Sequence, residues 1–409
     1  MIVGPCTIVT GGPAPAVIED AAVRVLGSHI AQVGRAGNLA AAYPDEMLWP
    51  ARGRVLMPGL VNTHVHLSRH LARGLGLRTP REWRRYEDAL SAEDVFWSSL
   101  AALVEGVRHG VTTVGDFHRS GSLIDLSLSE VVGAAARVGV RVATCYGAAE
   151  IDTPLERRAA FEESLGFARE LGRQRSGRLR GMMGVQAVTL DGVESLLVDA
   201  LECAGERLAV HMDLALDLTP AERWRSRREF PPGPLPALWA HAETAPRELL
   251  AAARERGDAL SAVGSGSAAS LVRETDVAWG SDSGVNAPPL PDPAHPFARG
   301  AASEAHYRRL FVHGARWAAH HFGEELGVIA AGSPADFMLV DYRPATEFSS
   351  RTLLDHLWAG LLRAPVSGVM ISGETIMDNG TLVTVDEREV AARARPPRAR
   401  PPSPACRCP

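Results

Sequence analysis

Two imidazoles stand two residues apart in MPGLVNTHVH, residues 57–66, and are the groups best placed in this sequence to hold a metal ion. Positions i and i+2 of a strand share a face, so His64 and His66 can both turn towards one ion. An isolated H-x-H is more often incidental, but the Pro-Gly turn ahead of this one and the strand pattern around it favour ligation. Far downstream, AWGSDSG carries Asp282 at the end of the last of a series of apolar runs. A carboxylate there either binds a metal and takes a proton from water, or caps the following turn. His241, in LWAHAE, either hydrogen-bonds towards the same centre or satisfies a local backbone group, and its place at a strand end favours the first.

The elements that must position these residues follow a regular alternation. From residue 55 to about residue 285, short apolar runs alternate with amphipathic stretches, the pattern of parallel strands joined by crossover helices. Strands are expected at 55–66, 111–117, 141–147, 180–187, 207–215, 237–243, 258–264 and 276–283, which predicts an α/β fold with a (β/α)8 TIM-like barrel. Such barrels carry their active sites at the C-terminal ends of the strands, where His64, His66, His241 and Asp282 all fall. The clearest helix starts at Ser91, with Asp94 completing a capping box and Phe96, Leu100, Leu103, Val104 and Val107 on one face, and ends at Gly110.

The flanks differ. Residues 1–54 and 327–390 hold short alternating segments, among them Ala22 to Leu26, Phe337 to Val340 and Val366 to Ile371, and are expected to form one small β-sandwich from both chain ends. Residues 55–326 would then be the barrel. Residues 391–409, rich in Pro and Arg and poor in large apolar residues, are expected to be a disordered tail.

The net charge of −5 over 409 residues, with no long basic block, points away from nucleic acid and anionic membranes and towards a small-molecule partner; a homo-oligomer is left open. No apolar run is long enough to span a bilayer and no secretory signal is evident, so a cytoplasmic protein is expected. Cys6, Cys145 and Cys203 lie apart in apolar surroundings and read as reduced, buried thiols. Every basic residue is arginine, since the chain contains no lysine.

These motifs resemble the metal-dependent amidohydrolase superfamily, in particular the branch of guanine, chlorotriazine and S-adenosylhomocysteine aminohydrolases and SsnA-type aminohydrolases. The resemblance is carried by VLMPGLVNTHVH, GVTTVGDFHRSGSL, GSDSG and the GVIAAGSPADFMLVDYRPATEF segment, and spans all but the tail. It implies a hydrolase that deaminates a purine-, pyrimidine- or triazine-like ring with one divalent ion, zinc or iron. His64, His66 and Asp282 would be ligands, Asp282 also the base, and His241 an assisting group. Without lysine there is no carbamylated lysine to bridge a second ion.

The fifth strand departs from the pattern. Where the family reads H-x-H-x-x-E, this chain reads His211-Met212-Asp213-Leu214-Ala215-Leu216, so Asp213 stands at the ligand position and Leu216 at the proton-shuttle position. His211 shares a strand face with Asp213 and is a candidate substrate-binding residue or substitute ligand, and Asp217 or Glu243 is a substitute carboxylate. The seventh strand ends in Gly264-Ser265-Gly266-Ser267 in place of the family's N-P-x-S-N run. Gln186 and His118, near the ends of the fourth and second strands, are candidate substrate-binding residues. The alternative to catalysis is a degenerate family member that binds a ligand or partner without turnover, or carries out altered chemistry.

Overall fold

The computed structural model describes residues 1–174, 176–204, 208–216, 236–263, 276–284, 286–288 and 301–396. Asp217, residues 264–267, Cys406 and Cys408 lie outside the described residues. The chain begins with β1 (Ile2–Val9), β2 (Val17–Leu26), β3 (His29–Arg35), β4 (Leu48–Trp49) and β5 (Val55–Pro58). Then come β6 (Leu60–Val65), β7 (Val111–His118), β8 (Arg141–Ala149), β9 (Leu179–Gly181), β10 (Met183–Ala187), β11 (Val210–Leu214), β12 (Leu238–Ala240), β13 (Ala259–Val263) and β14 (Val277–Gly280). The described strands end with β15 (Phe337–Val340), β16 (Val366–Ile371), β17 (Glu374–Asp378) and β18 (Thr381–Leu382).

One sheet runs β6-β7-β8-β10-β11-β12-β13-β14, with every neighbour parallel and β9 added beside β8. It closes where β14 meets β6. The amides of Ser281 and Asp282 donate to the His64 carbonyl at 2.8 and 3.0 Å, and the His66 amide donates to the Asp282 carbonyl at 3.1 Å. The structure is the (β/α)8 barrel that the alternation predicts. Its crossover helices bury one face each: Ala92–Arg108 starts at a Ser91–Asp94 capping box and sets Leu100, Leu103, Val104 and Val107 into the core, while Gly110 follows at φ +82°.

The second sheet, β18-β17-β16-β15-β5-β1-β2-β3 with β4 beside β1, draws strands from both chain ends. Val3, Ile8, Ile30, Trp49, Leu56, Phe337, Leu339 and Met370 pack into its core. The single strand expected over 55–66 is in fact two. Val55–Pro58 pairs with β1 and β15 in the second sheet, whereas Leu60–Val65 opens the barrel, so the boundary lies at Gly59 rather than 54/55. Pro58 donates no backbone hydrogen bond, and Gly59 runs so close to the Thr112 side chain that a Cβ would collide with it. Residues 391–393, expected to belong to the tail, lie in a helix over Glu387–Arg393 that Asp386 caps and that buries Val390. Cys6 and Cys145 are buried as expected, but Cys203 is exposed on the outer face of its helix.

The two sheets are joined by a buried ion pair. Arg141, at the start of β8, donates from Nε to Asp336 Oδ2 at 2.5 Å and from Nη2 to Oδ1 at 3.3 Å, and the Ser372 amide donates to the same carboxylate at 2.7 Å. Asp336 is the first of the two aspartates in the SPADFMLVDY run. Removing one partner of a buried pair strands the other charge, at about 3–5 kcal/mol. Glu324 also contacts Arg141 and remains. Asp336→Ala is therefore expected to fall at the lower end, about 3 kcal/mol in urea denaturation; a loss under about 1 kcal/mol would show that the pair does not couple the sheets.

Candidate metal centre

Residue parity on β6 turns His64 and His66 inward, and on β11 it does the same for His211 and Asp213. β12 ends at Ala240, after which His241 adopts φ +56°; Asp282, just past β14, adopts φ +52°. Both are left-handed conformations uncommon for residues with a side chain, and both turn a site residue across the mouth. Gly280 lets β14 approach: a Cβ there would lie 2.7 Å from Ser261 Oγ and 2.9 Å from His64 Cβ.

The polar atoms converge. Asp282 Oδ1 lies 3.1 Å from His66 Nε2, 3.7 Å from His241 Nε2 and 3.8 Å from His64 Nε2. Across the mouth, Asp213 Oδ2 is 3.8 Å from His66 Nε2 and Asp213 Oδ1 is 3.8 Å from His241 Nε2. Donors held about 2.0–2.2 Å from one ion stand about 2.8–3.6 Å apart; the 3.1 Å contact lies in that range and the 3.7 and 3.8 Å separations just above it, a small side-chain movement from a shared ion. His64 Nε2, both ring nitrogens of His66, and Asp213 Oδ1 are buried without a hydrogen-bond partner. Leaving such atoms unpaired costs about 1–3 kcal/mol each, and a divalent ion would satisfy several together. The donor set fits a metal.

Three of these groups are held from behind. His211 Nε2 lies 2.9 Å from His64 Nδ1, which leaves His64 Nε2 for the mouth. Gln186, paired in register with Asp213, donates from Nε2 to Asp213 Oδ2 at 2.7 Å. Glu243 Oε1 is 3.2 Å from His241 Nδ1, and its Oε2 accepts the Val263 amide at 3.1 Å. Phe117 packs its ring against His64, His66 and His211 as the floor.

Electrostatics sort the imidazoles. Burial pushes His64 and His211 well below the ordinary value, aided by the histidines around them. Burial also disfavours charge on His241, but the carboxylates of Asp282, Glu243 and Asp213 outweigh it and raise its pKa well above the usual range. Asp282, though burial raises it, is held well below the carboxylate range by His241 and His66.

The structure thus brings His64, His66, Asp213, His241 and Asp282 together, with His211 and Gln186 behind them. His211 therefore sits in the layer behind the ligands, not where substrate would lie. His118 is elsewhere. It follows Phe117 and so faces the other side of β7, with Nε2 2.9 Å from Ser120 Oγ and its ring on Tyr146. Leu216 is half-buried against apolar neighbours and offers no proton. Sequence reasoning missed Arg69, whose Nη1 reaches to 3.9 Å from Asp282 Oδ1 while Nε and Nη2 are held by Glu87 Oε1 at 2.8 and 2.5 Å. Its place three residues after His66 was the available signal.

Residues 55–226 match the amidohydrolase family. The chain is 26% identical to the 5-methylthioadenosine/S-adenosylhomocysteine deaminase of Moorella thermoacetica, over 96% of this chain and 97% of that one. An atrazine chlorohydrolase mutant of Arthrobacter aurescens, complexed with zinc and atraton, has a TM-score of 0.70 at 19% identity, covering 96% of this chain and 98% of its own. An adenosine deaminase of Xanthomonas campestris with bound zinc gives 0.68 at 20%, covering 96% of each. At these identities the structural likeness speaks for the fold, and the family likeness rests on the sequence match.

Zinc added to metal-free protein is expected to raise Tm, in proportion to about 2.7 kcal/mol at a hundredfold excess over Kd. His66→Ala should abolish the rise and His118→Ala should keep it, as read by thermal unfolding. An undiminished rise in His66→Ala would contradict the grouping.

Proposed function

We propose that this chain, whose barrel matches the amidohydrolase family, is a metal-dependent hydrolase that releases ammonia from an aminated purine-, pyrimidine- or triazine-like ring. The observation that carries the reading is the convergence of His64, His66, Asp213, His241 and Asp282, with buried unpartnered donors, at the C-terminal mouth of the barrel. His64, His66, Asp213 and Asp282 would hold one divalent ion, with zinc the ion named in the solved neighbours. When bound, the ion supplies an activated water for attack on a ring carbon.

The chain's own groups do the rest. Asp282 is placed to take the proton of the attacking water at its carboxylate. His241, 3.7 Å away, can hold a proton at Nε2 because Glu243 occupies Nδ1. His211 and Gln186 fix the rotamers of His64 and Asp213, so the ligands need no rearrangement when a ring enters. At the end of β11, Leu216 stands where a carboxylate would carry the proton to the ring, and losing such assistance costs about 10²–10⁴ in rate. Turnover is therefore slow. Free, buried Cys6 and Cys145 support a cytoplasmic setting. Leu216 is also the observation that favours a second reading, a protein that binds the ring without turning it over.

Ammonia release from a panel of aminated purines, pyrimidines and triazines separates the two. Asp213→His with Leu216→Glu is expected to release ammonia about 10²–10⁴ times faster than the unaltered chain, with each single change gaining far less. Unaltered protein that already turns over at about 1–10³ s⁻¹ would contradict the role given to Leu216. Calorimetric binding without ammonia release, even in the double variant, would favour the second reading.

A further inference from the structure

The donor set around Asp213 differs in hardness from a site built on three imidazoles and one carboxylate. Asp213 and Asp282 bring two anionic oxygens to a centre whose other ligands are the ring nitrogens of His64 and His66. Imidazole suits zinc, copper and iron, whereas carboxylate suits manganese and other hard ions that take six ligands. Zinc sites are mostly four-coordinate. Four side chains here reach towards one point, and a solvent oxygen held by His241 Nε2 would make a fifth donor.

Three further features act in the same direction. Gln186 holds Asp213 Oδ2 at 2.7 Å and leaves Oδ1 buried without a partner, so the carboxylate offers one fixed oxygen and cannot swing away. Two carboxylates also cancel the charge of a divalent ion, and His64, His66 and Asp213 are almost wholly buried, where an uncompensated charge is costly. Finally, Glu243 on His241 Nδ1 keeps Nε2 facing the mouth, where it can hold a solvent oxygen beside the four ligands.

Resting on the metal-centre reading above, we infer that Asp213 tunes this site towards five- or six-coordinate hard ions, above all manganese(II), at the expense of its selectivity for zinc. The claim concerns a ratio. Zinc still binds tighter than manganese in absolute terms, as it does at nearly any site of nitrogen and oxygen donors.

Chelator competition on metal-free protein gives Kd for zinc(II) and manganese(II) in the unaltered chain and in Asp213→His. The Kd(Mn)/Kd(Zn) ratio is expected to rise about tenfold or more in the variant. A ratio that stays the same or falls overturns the inference and leaves the metal-centre reading standing, whereas failure of the unaltered chain to bind either ion overturns both. Should Asp213→His not fold, cobalt(II) in the unaltered protein decides: weak visible bands, as for five- or six-coordinate cobalt, are expected, and the intense bands of four-coordinate cobalt would overturn the inference.

Discussion

The closure of the barrel between its first and last strands is the constraint on which the site depends. Asn62 donates from Nδ2 to Ser281 Oγ and to Asn286 Oδ1, each at 2.8 Å, and its own Oδ1 accepts the Ser281 amide at 3.2 Å. Thr63 Oγ1 lies 2.7 Å from Ser261 Oγ and 2.8 Å from the Trp279 carbonyl. The buried polar groups of Asn62 and Thr63 are thus satisfied by Ser261, Trp279, Ser281 and Asn286, and unpaired they would each cost about 1–3 kcal/mol. Between those staples lie His64, His66 and Asp282. The residues that hold the strands together are the immediate neighbours of the residues that face the mouth, so fold and site share one set of contacts.

A second constraint is charge. The mouth gathers Asp213, Glu243 and Asp282 against His241 and the Arg69 guanidinium, and Arg69 begins a run of alternating charges through Glu87, Arg119 and Asp152 towards the surface. Such a run holds the loops after β6, β7 and β8 in one arrangement, because each buried charge is costly without its partner. Asp213, where the related pattern has histidine, adds a negative charge to this field. Its contact with Gln186 shows that the replacement is accommodated by a neighbouring strand, not left as a defect.

Much of this was legible in the sequence, and what was not has particular physical reasons. The barrel strands were readable because Gly, Pro and Asp punctuate short apolar runs, and the Ser91 helix because its cap and its apolar face agree. The split at Gly59 was missed although Pro58-Gly59 marks a break there, because only tertiary packing assigns the two halves to different sheets. His118 was favoured for its place at a strand end, whereas strand parity places Phe117 inward and His118 on the other face. For His211 the face was right, but depth along the strand decided its role: two residues below Asp213, it meets His64 instead of the mouth. Cys203 sits in an apolar segment, yet a helix has an outer face that composition does not reveal.

The central claim is that His64, His66, Asp213 and Asp282 hold a single ion at the closure of the barrel. Anomalous diffraction from crystals grown with a divalent metal tests it most directly. One strong peak about 2.0–2.2 Å from His64 Nε2, His66 Nε2 and an oxygen of each aspartate is the expected result. A mouth with no peak, or a peak bound away from Asp213 and Asp282, would contradict the account.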